Sequence, residues 1–515
     1  MTTPSRFIPV ILAVSASLAS TAACAYDTSY LEGLLANTAA GSWVNASVNT
    51  FSSAWAPADV AAPTSPSGPG AIVNAWSSFA WDSTRGNLML FGGGHANYVG
   101  NEVYAWQGST GTWTMDSLAS KVTSLDGTNN FVVGAGAPQA SHTYATNTYV
   151  AGNDRFVVYG GAAYNSGGSI TDANGRTGSW WFDPTKASST LVGGQNGTGW
   201  NTATQGAYAW TTHSDPWTGA NPSDSNYTNY TNLPNLNNGT TAYRQEMVNG
   251  VKKDVVYVTM DQNSSGFSRL WRDELGTTTG STTTPDSWSF VGMGDNSIAG
   301  GGSATIDSKR GLFVRTALTD GNYTSDLAVW NLSNNNAANP DANENQAIEL
   351  VNPDGTSFTM KAGSGLSYDS KRDMYVIWDG QEGGTVWETR PELNADGSLS
   401  STWTVKKLIG SGAQPKGFVD PDTGDVLSGG VLGKWKYVAE LGAFVALDSF
   451  VALDCGDGVT RVDCSDSKVW LYKPVDVLTA VPEASTYVMM LGGLGVLAWF
   501  TRQRRRNQTN QASAH

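Results

Sequence analysis

The stretch FAWDSTRGNLMLFGGGHANYVGNEVYAW, residues 79–106, contains two short apolar strands around a tight turn, then a glycine-rich loop and a third, aromatic strand. The same plan recurs in GSATIDSKRGLFVRTAL and in GLSYDSKRDMYVIWDG. The turns begin at Asp82, Asp307 and Asp369. Because an aspartate at the start of a turn accepts hydrogen bonds from its own backbone two residues on, we predict that these three residues form turns.

Weaker copies of this plan fill most of the chain between residues 70 and 475. A third strand with an aromatic residue follows each apolar strand, as in SWWFD and LAVW, and usually a fourth follows, such as TWTM or SWSF. Helical periodicity is restricted to LEGLLANTA near residue 31. A four-stranded unit that repeats at roughly 45 to 70 residues, with glycines and tryptophans at fixed places, is typical of a propeller blade.

These repeats resemble kelch-type blades, the fold of the galactose oxidase propeller. The resemblance implies an all-β, kelch-like β-propeller of six four-stranded blades over residues 71–475, with a seventh blade left open. We expect the N-terminal segment 26–70 to supply a closing strand, GSWVNASVN, to the last blade, because pairing of the first strand with the last removes exposed sheet edges. A separate N-terminal arm is the alternative.

The N-terminus has the features of a secretory signal peptide. Arg6 precedes the apolar run FIPVILAVSASLAS, and the tripeptide ACA at 23–25 is a small-x-small cleavage site. We therefore predict that signal peptidase removes residues 1–25. The mature protein then begins near Tyr26, outside the cytoplasm.

The C-terminus joins a polar motif, an apolar stretch and an arginine cluster in VPEASTYVMMLGGLGVLAWFTRQRRR. This order resembles the PEP-CTERM sorting signal of Gram-negative bacteria, although Ala484 stands where a second proline is usual. The resemblance implies that 476–515 contains a short transmembrane helix and an Arg-rich tail, and that an exosortase processes it. An ordinary membrane anchor is the alternative, although the apolar run 487–500 is shorter than the roughly 20 residues of a stable span.

These signals predict where the protein resides. We expect it to be exported and tethered to the inner membrane, with membrane contact through the C-terminal helix only, and then to reach the cell surface or extracellular matrix. The formal net charge of −14 disfavours nucleic acid and anionic lipid as partners. Besides the two processing enzymes, the predicted partner is therefore an extracellular polysaccharide or a matrix protein.

Cysteine usage is sparse. Cys24 is removed with the signal peptide, and the mature protein keeps Cys455 and Cys464. These two residues lie nine positions apart on one predicted hairpin. In an oxidising compartment this pair most simply forms a disulfide. A metal site needs more ligands than this pair and four histidines supply, and we predict neither a metal nor a cofactor.

Two kinds of loop open on the same face of a propeller: those between second and third strands, and those between blades. They place four candidate catalytic residues on one rim: His95, His142, Tyr164 and Arg176. His95 follows three glycines and can instead cap its turn by bonding a backbone carbonyl or Glu102. The scarcity of histidine favours a functional role for His95. The mature body has three histidines besides the terminal one, and two of them map to this rim.

Three functions compete. The main prediction is a non-catalytic surface or matrix protein that binds glycans or another matrix component such as a protein, which suits the aromatic and Asn-rich, weakly charged composition and the sorting tail. The alternative is a polysaccharide lyase, because abstraction of a proton next to a uronate needs a cation, a base and an acid. Arginine, histidine and tyrosine of the rim can fill these roles, and propeller lyases that cleave ulvan are similar in fold and in these residue types.

The third hypothesis is a copper radical oxidase resembling galactose oxidase. That chemistry uses a tyrosine crosslinked to a cysteine and two histidine ligands. Because both mature cysteines are assigned to one hairpin, this is the least favoured function.

Overall fold

The computed structural model describes residues 26–62, 67–95, 97–120, 122–125, 131–133, 137–163, 179–191, 209–212, 239–260, 269–279, 282–294, 301–316, 323–324, 326–334, 343–381, 384–408, 410, 412–420, 423–454 and 460–475. Strands dominate these residues. The helices are short and comprise α1 Ser29–Ala36, α2 Ala71–Asn74 and 3₁₀ turns at Phe51–Ala54, Pro184–Lys186 and Leu332–Asn334.

The strands form four separate four-stranded sheets, one eight-stranded sheet and several two-stranded ribbons. In chain order they are β1 Ser42–Asn45, β2 Phe79–Asp82, β3 Asn87–Leu90, β4 Val103–Gln107, β5 Thr112–Ser117, β6 Val122–Leu125, β7 Phe131–Val133, β8 Ser141–His142, β9 Asn147–Val150, β10 Arg155–Val158, β11 Ala162–Ala163, β12 Trp180–Phe182, β13 Trp210–Thr212, β14 Thr240–Val248, β15 Val251–Met260, β16 Arg269–Glu274, β17 Thr278–Thr279, β18 Thr282–Thr283, β19 Ser287–Met293, β20 Ala304–Asp307, β21 Leu312–Thr316, β22 Tyr323–Thr324, β23 Asp326–Asn331, β24 Gln346–Val351, β25 Met360–Lys361, β26 Gly365–Asp369, β27 Met374–Trp378, β28 Val386–Thr389, β29 Thr402–Leu408, β30 Trp435–Val438, β31 Ala443–Leu447, β32 Val451–Asp454, β33 Thr460–Asp466 and β34 Val469–Lys473.

Each four-stranded sheet is antiparallel. The sheets run β2-β3-β4-β5, β9-β10-β12-β13, β14-β15-β16-β19 and β30-β31-β34-β1. The eight-stranded sheet contains two antiparallel runs of four strands, β20-β21-β23-β24 and β26-β27-β28-β29, which join through a parallel pairing of β24 with β29.

The predicted turn aspartates are confirmed. The Asp82 Oδ1 atom accepts hydrogen bonds from the backbone N–H groups of Thr84 (2.9 Å) and Arg85 (3.0 Å). Asp307 and Asp369 accept the same pair of backbone bonds in their own turns. A side chain that satisfies two backbone donors fixes the hairpin geometry locally, and the sequence therefore predicts these turns well.

The turn arginines tie neighbouring antiparallel runs of strands together. The Arg85 guanidinium contacts Asp82 of its own turn at 2.9 Å and Asp154 in the β9–β10 turn at 2.6 Å. The Arg310 guanidinium makes the equivalent pair of contacts, with the aspartate of its own turn and with Asp373 in the β26–β27 turn. Ion pairs of this kind are weak when exposed. Here a buried carboxylate and several hydrogen bonds reinforce them.

The two ends of the described chain meet in one sheet. Strand β1 pairs antiparallel with β34, with Trp43 opposite Tyr472. The Trp43 ring packs against Trp378 and Trp435, with ring centroids 5.4 Å away in both cases, and its indole N–H donates to the Gly384 carbonyl (2.8 Å). Tryptophans therefore fill the space between this closing sheet and the neighbouring sheet, as aromatic side chains do in large cores.

The first strands of the six antiparallel runs line one cavity of about 320 Å³. These strands are β2, β9, β14, β20, β26 and β30. An all-β, propeller-like arrangement follows, with the sheets arranged around a common axis.

Some predictions fall on other parts of the chain. The signal peptide, the apolar run 487–500 and Cys455 lie outside the described residues, and with Cys455 the predicted disulfide to Cys464 does too. Among the helices that the structure describes, none has the length and apolar character needed to cross a bilayer.

Candidate functional site

The GGGH run lies in the loop between β3 and β4. Gly93 has φ +93°, and a Cβ atom on Gly94 would overlap the backbone of residues 140 and 141. Glycine is therefore required for the loop to pack directly on the segment that enters the next sheet. This packing brings the exposed His95 ring to within 5.1 Å of the His142 ring, centroid to centroid.

His142 is held from several sides. It pairs with Ala162 through β8 and β11, it is 3% exposed, and its Nε2 lies 2.8 Å from the Asn97 side-chain amide nitrogen. An amide N–H donated to Nε2 leaves the ring proton on Nδ1. Burial, and to a smaller extent the nearby His95, lower the pKa of His142 to about 3, although a hydrogen bond with the Gly94 backbone acts in the opposite direction. His142 is therefore neutral at physiological pH.

Trp76 lies over His142. The indole and imidazole rings stack with centroids 4.7 Å apart and an interplanar angle of 26°. Trp76 adopts φ +45°, its carbonyl accepts the Tyr144 N–H (2.6 Å), and its ring edge abuts Gly429. A non-glycine residue with positive φ is uncommon and is held here by these contacts. The indole remains 37% exposed and faces a pocket.

The pocket has a volume of about 560 Å³ and contains three large aromatic side chains. The Trp55 and Phe450 rings lie 5.7 Å apart, and the Asn74 side chain bonds both the N–H (2.9 Å) and the carbonyl (2.6 Å) of Phe450. We call this the rim pocket, and its lining residues are Trp55, Ser67, Gly68, Gly70, Ala71, Asn74, Ala75, Trp76, Asn97, Ser428 and Phe450.

The polar groups of the rim pocket are amides, hydroxyls and indoles. The Trp55 Nε1 donor is buried without a partner among the described residues. The Asn97 amide nitrogen bonds His142 and the carbonyls of Gly94 and His95, and Asn97 also lines the pocket. None of the lining residues above carries a charge. The site therefore offers apolar faces with a few neutral donors and acceptors.

Other rim residues serve the fold instead. The buried Glu102 accepts the hydroxyls of Tyr98 (2.5 Å) and Tyr104 (3.2 Å), and not a bond from His95. Burial raises the pKa of Glu102, because the charged form loses its hydration. Arg315 is 1% exposed and bonds the Thr259 hydroxyl (3.0 Å) among other internal groups. Buried and internally bonded, neither charge is free to contact a ligand at the rim.

The structure tests the candidate set only in part. It brings His95 and His142 together, whereas Tyr164 and Arg176 lie outside the described residues. Over the ranges that the structure describes, no group of three or more His, Cys, Asp or Glu side chains could hold a metal ion.

Sequence reasoning did not identify Trp55, Trp76 and Phe450. They lie in three separate segments of the chain, and Phe450 comes shortly after the β30–β31 hairpin. These three side chains come together only when the ring of sheets closes, and local sequence patterns do not predict that contact. One sequence signal could have pointed to Trp76. It lies in NAWSS, immediately before β2, and loops that enter a sheet at this end face the rim.

The neutral state of His142 gives a testable prediction. Its pKa is lowered below the ordinary value of 6.5, so we expect no change in its Cε1–H chemical shift between about pH 8 and pH 5. The measurement is a proton–carbon NMR titration, with the His142→Gln variant assigning the signal. A midpoint near 6.5 would show that the ring is hydrated and not buried under Trp76.

Comparison with known proteins identifies the C-terminal segment. Residues 480–506 match the PEP-CTERM protein-sorting motif. The chain carries this sorting signal. Such a motif implies export, anchoring in the membrane and processing by an exosortase. No curated protein matches the chain.

Several solved structures are similar to the described fold. The α-L-arabinanase of Penicillium chrysogenum, complexed with arabinobiose, is 10% identical, with 81% of this chain and 96% of that chain covered and a TM-score of 0.36. The PQQ-bound aldose sugar dehydrogenase of Streptomyces coelicolor is 12% identical, with coverages of 83% and 97% and a TM-score of 0.34. Similarity at this level says nothing about the activity of this chain.

Proposed function

We propose that this protein is an exported, surface-sorted β-propeller that binds an extracellular glycan at the rim pocket and does not turn it over. The observation that carries the proposal is the composition of that pocket: three aromatic rings, several neutral polar groups and no charged lining residue. The sorting motif at 480–506 supports an extracellular place of action.

The chemistry of the pocket suits a sugar ring. The C–H faces of a pyranose are apolar and pack on aromatic rings, whereas its hydroxyls need donors and acceptors at the edges. Trp76 offers a partly exposed indole ring, and Ser67, Asn97 and Ser428 line the pocket with hydroxyl and amide groups. The volume of about 560 Å³ lies within the range of small-molecule pockets.

A neutral glycan fits better than a uronate. Recognition of a carboxylate uses arginine or lysine, and the lining residues of the rim pocket include neither. A lyase also needs a base whose pKa lies near the working pH. His142, with its pKa near 3, is too weak a base for that role.

The finer architecture is also a proposal. We infer a six-bladed, kelch-like propeller over 71–475, with segment 26–70 contributing the outer strand of the last blade. The six first strands around one cavity and the pairing of β1 with β34 support this count. After cleavage by signal peptidase and exosortase, the propeller would be displayed at the cell surface or in the matrix.

The Trp76→Ala variant tests the proposed function. The full chain, purified in mild detergent, is co-sedimented with a panel of insoluble neutral and acidic polysaccharides. We expect saturable retention on a neutral polysaccharide, with affinity about 30-fold lower in Trp76→Ala because the stacking face is lost. Ultraviolet absorbance of unsaturated uronates is followed in parallel.

The matched control is Trp387→Ala. Trp387 is also a partly buried tryptophan, but it packs on Phe358 away from the rim pocket. Its replacement should leave retention unchanged. Equal retention of the parent and Trp76→Ala, or growth of absorbance with the parent, would refute binding at this pocket without turnover.

A further inference from the structure

The central cavity contains a layer of residues at one level of the first strands. Each residue is paired across its hairpin with a residue of the second strand, as Thr148 with Val157 and Ser367 with Val376. All six line the cavity. We call this layer the channel ring: Ala80, Thr148, Ala242, Thr305, Ser367 and Lys436.

Two hydroxyls of the channel ring accept backbone N–H groups of the neighbouring strands. Ser367 Oγ accepts the N–H of Tyr437 (2.8 Å), and Thr305 Oγ1 accepts the N–H of Tyr368 (3.1 Å). A hydroxyl whose lone pair is engaged by a backbone N–H still has its own proton to donate. Among the described residues neither proton has a recorded acceptor, so both are available to a ligand in the cavity.

Lys436 supplies a positive charge to this layer. No described carboxylate forms an ion pair with its ammonium group, and burial lowers its pKa to about 8. The other charged residue that lines the cavity, Glu440, is already bonded by the Tyr26 hydroxyl (2.9 Å) and the Trp81 indole (3.2 Å). Lys436 therefore faces the cavity without a carboxylate in direct contact with its ammonium group.

A second amine lies on the same side of β30, two residues earlier. The Lys434 Nζ atom donates to the Ser77 carbonyl (2.8 Å) and lies 4.5 Å from the centre of the Phe418 ring. The Lys434 side chain is fully buried, and desolvation lowers its pKa to about 7. Lys434 and Lys436 are therefore two amines on neighbouring same-face positions, and neither has an acidic partner among the described residues.

We propose that the channel ring binds a small oxyanion, with the Lys436 ammonium and the Thr305 and Ser367 hydroxyls as its donors. A buried charge is costly unless it is paired and hydrogen-bonded, and an oxyanion satisfies all three donors at once. The cavity of about 320 Å³ admits an ion of the size of phosphate or a small carboxylate. This site is separate from the rim pocket and does not depend on the glycan proposal.

The test follows thermal unfolding of the full chain in mild detergent as sodium phosphate is added, with sodium acetate in a parallel series. We expect the unfolding midpoint of the parent to rise and saturate in at least one series, because a ligand that binds only the folded state stabilises it. A response to phosphate alone identifies an inorganic oxyanion, and a response to acetate alone identifies a carboxylate. Lys436→Met should abolish the saturable rise, and Ser367→Ala should weaken the apparent affinity about tenfold.

The exposed Lys406→Met is the matched control and should respond like the parent. Without added anion, Lys436→Met should unfold at the same temperature as the parent or higher, because it removes an unpaired enclosed charge. That result separates loss of the site from loss of the fold. An unchanged saturable response in Lys436→Met, or a parent that responds to neither anion, would overturn the proposal.

Discussion

Gly161→Ala is expected to lower the free energy of unfolding by about 3 kcal/mol and to abolish glycan retention. Gly161 has φ +109°, a conformation that alanine avoids, and an added Cβ atom would overlap the His142 carbonyl oxygen. The substitution must therefore push β8 away from β11 and move the ring on which Trp76 stacks. Urea unfolding followed by tryptophan fluorescence, together with the retention assay, measures both effects.

Gly250→Ala is the matched control for this prediction. Gly250 also has positive φ, +77°, but an added Cβ would meet no atom within 4 Å. Its replacement should lower the free energy of unfolding by about 1 kcal/mol, because only the positive φ disfavours alanine there. Glycan retention should be unchanged. If Gly161→Ala were no more destabilised than Gly250→Ala, the close approach of Gly161 to His142 would not exist in the folded protein.

The second large effect is expected at a turn. Asp307→Ala should lower the free energy of unfolding by about 3 kcal/mol. The Asp307 side chain is fully buried, caps the N–H groups of Lys309 and Arg310, pairs with the Arg310 guanidinium and accepts the Tyr375 hydroxyl (3.0 Å). Alanine removes the acceptor of the two backbone N–H groups and of the Tyr375 hydroxyl, and leaves Arg310 with Asp373 alone. Urea unfolding again provides the measurement.

Two further variants separate the contributions to the stability loss of Asp307→Ala. Asp307→Asn keeps an acceptor oxygen for the two backbone bonds but loses the charge, and its stability should lie between those of the parent and Asp307→Ala. Asp354 caps the Thr356 N–H (3.0 Å) in a fully exposed turn, so that Asp354→Ala should change stability far less. Comparable losses in Asp307→Ala and Asp354→Ala would show that burial of the carboxylate, its ion pair with Arg310 and its bond from Tyr375 contribute nothing.

Local chemistry explains which features the sequence predicts. Asp82, Asp307 and Asp369 bond backbone atoms only two and three residues away, so that sequence spacing alone specifies their turns. The aromatic third strands and the four-stranded plan are likewise local. The closing strand could also be proposed, because an unpaired sheet edge demands a partner.

The rim pocket and the channel ring depend on contacts between distant segments. Asn74 bonds Phe450 across most of the chain length, and the channel ring takes one residue from each of six strands. In the sequence, Lys436 looks like an ordinary polar position of a strand, whereas the fold places it at the central cavity. Sequence spacing carries no information on which side of a ring such residues face.

The central claim, glycan binding at the rim pocket, is tested most directly by isothermal titration calorimetry. A soluble oligosaccharide of the retained polysaccharide is titrated into the full chain and into Trp76→Ala. We predict one binding site per chain in the parent and an affinity about 30-fold lower in the variant, without formation of unsaturated product. Equal affinities in the two proteins would contradict binding at this pocket, and an unsaturated product would contradict binding without turnover.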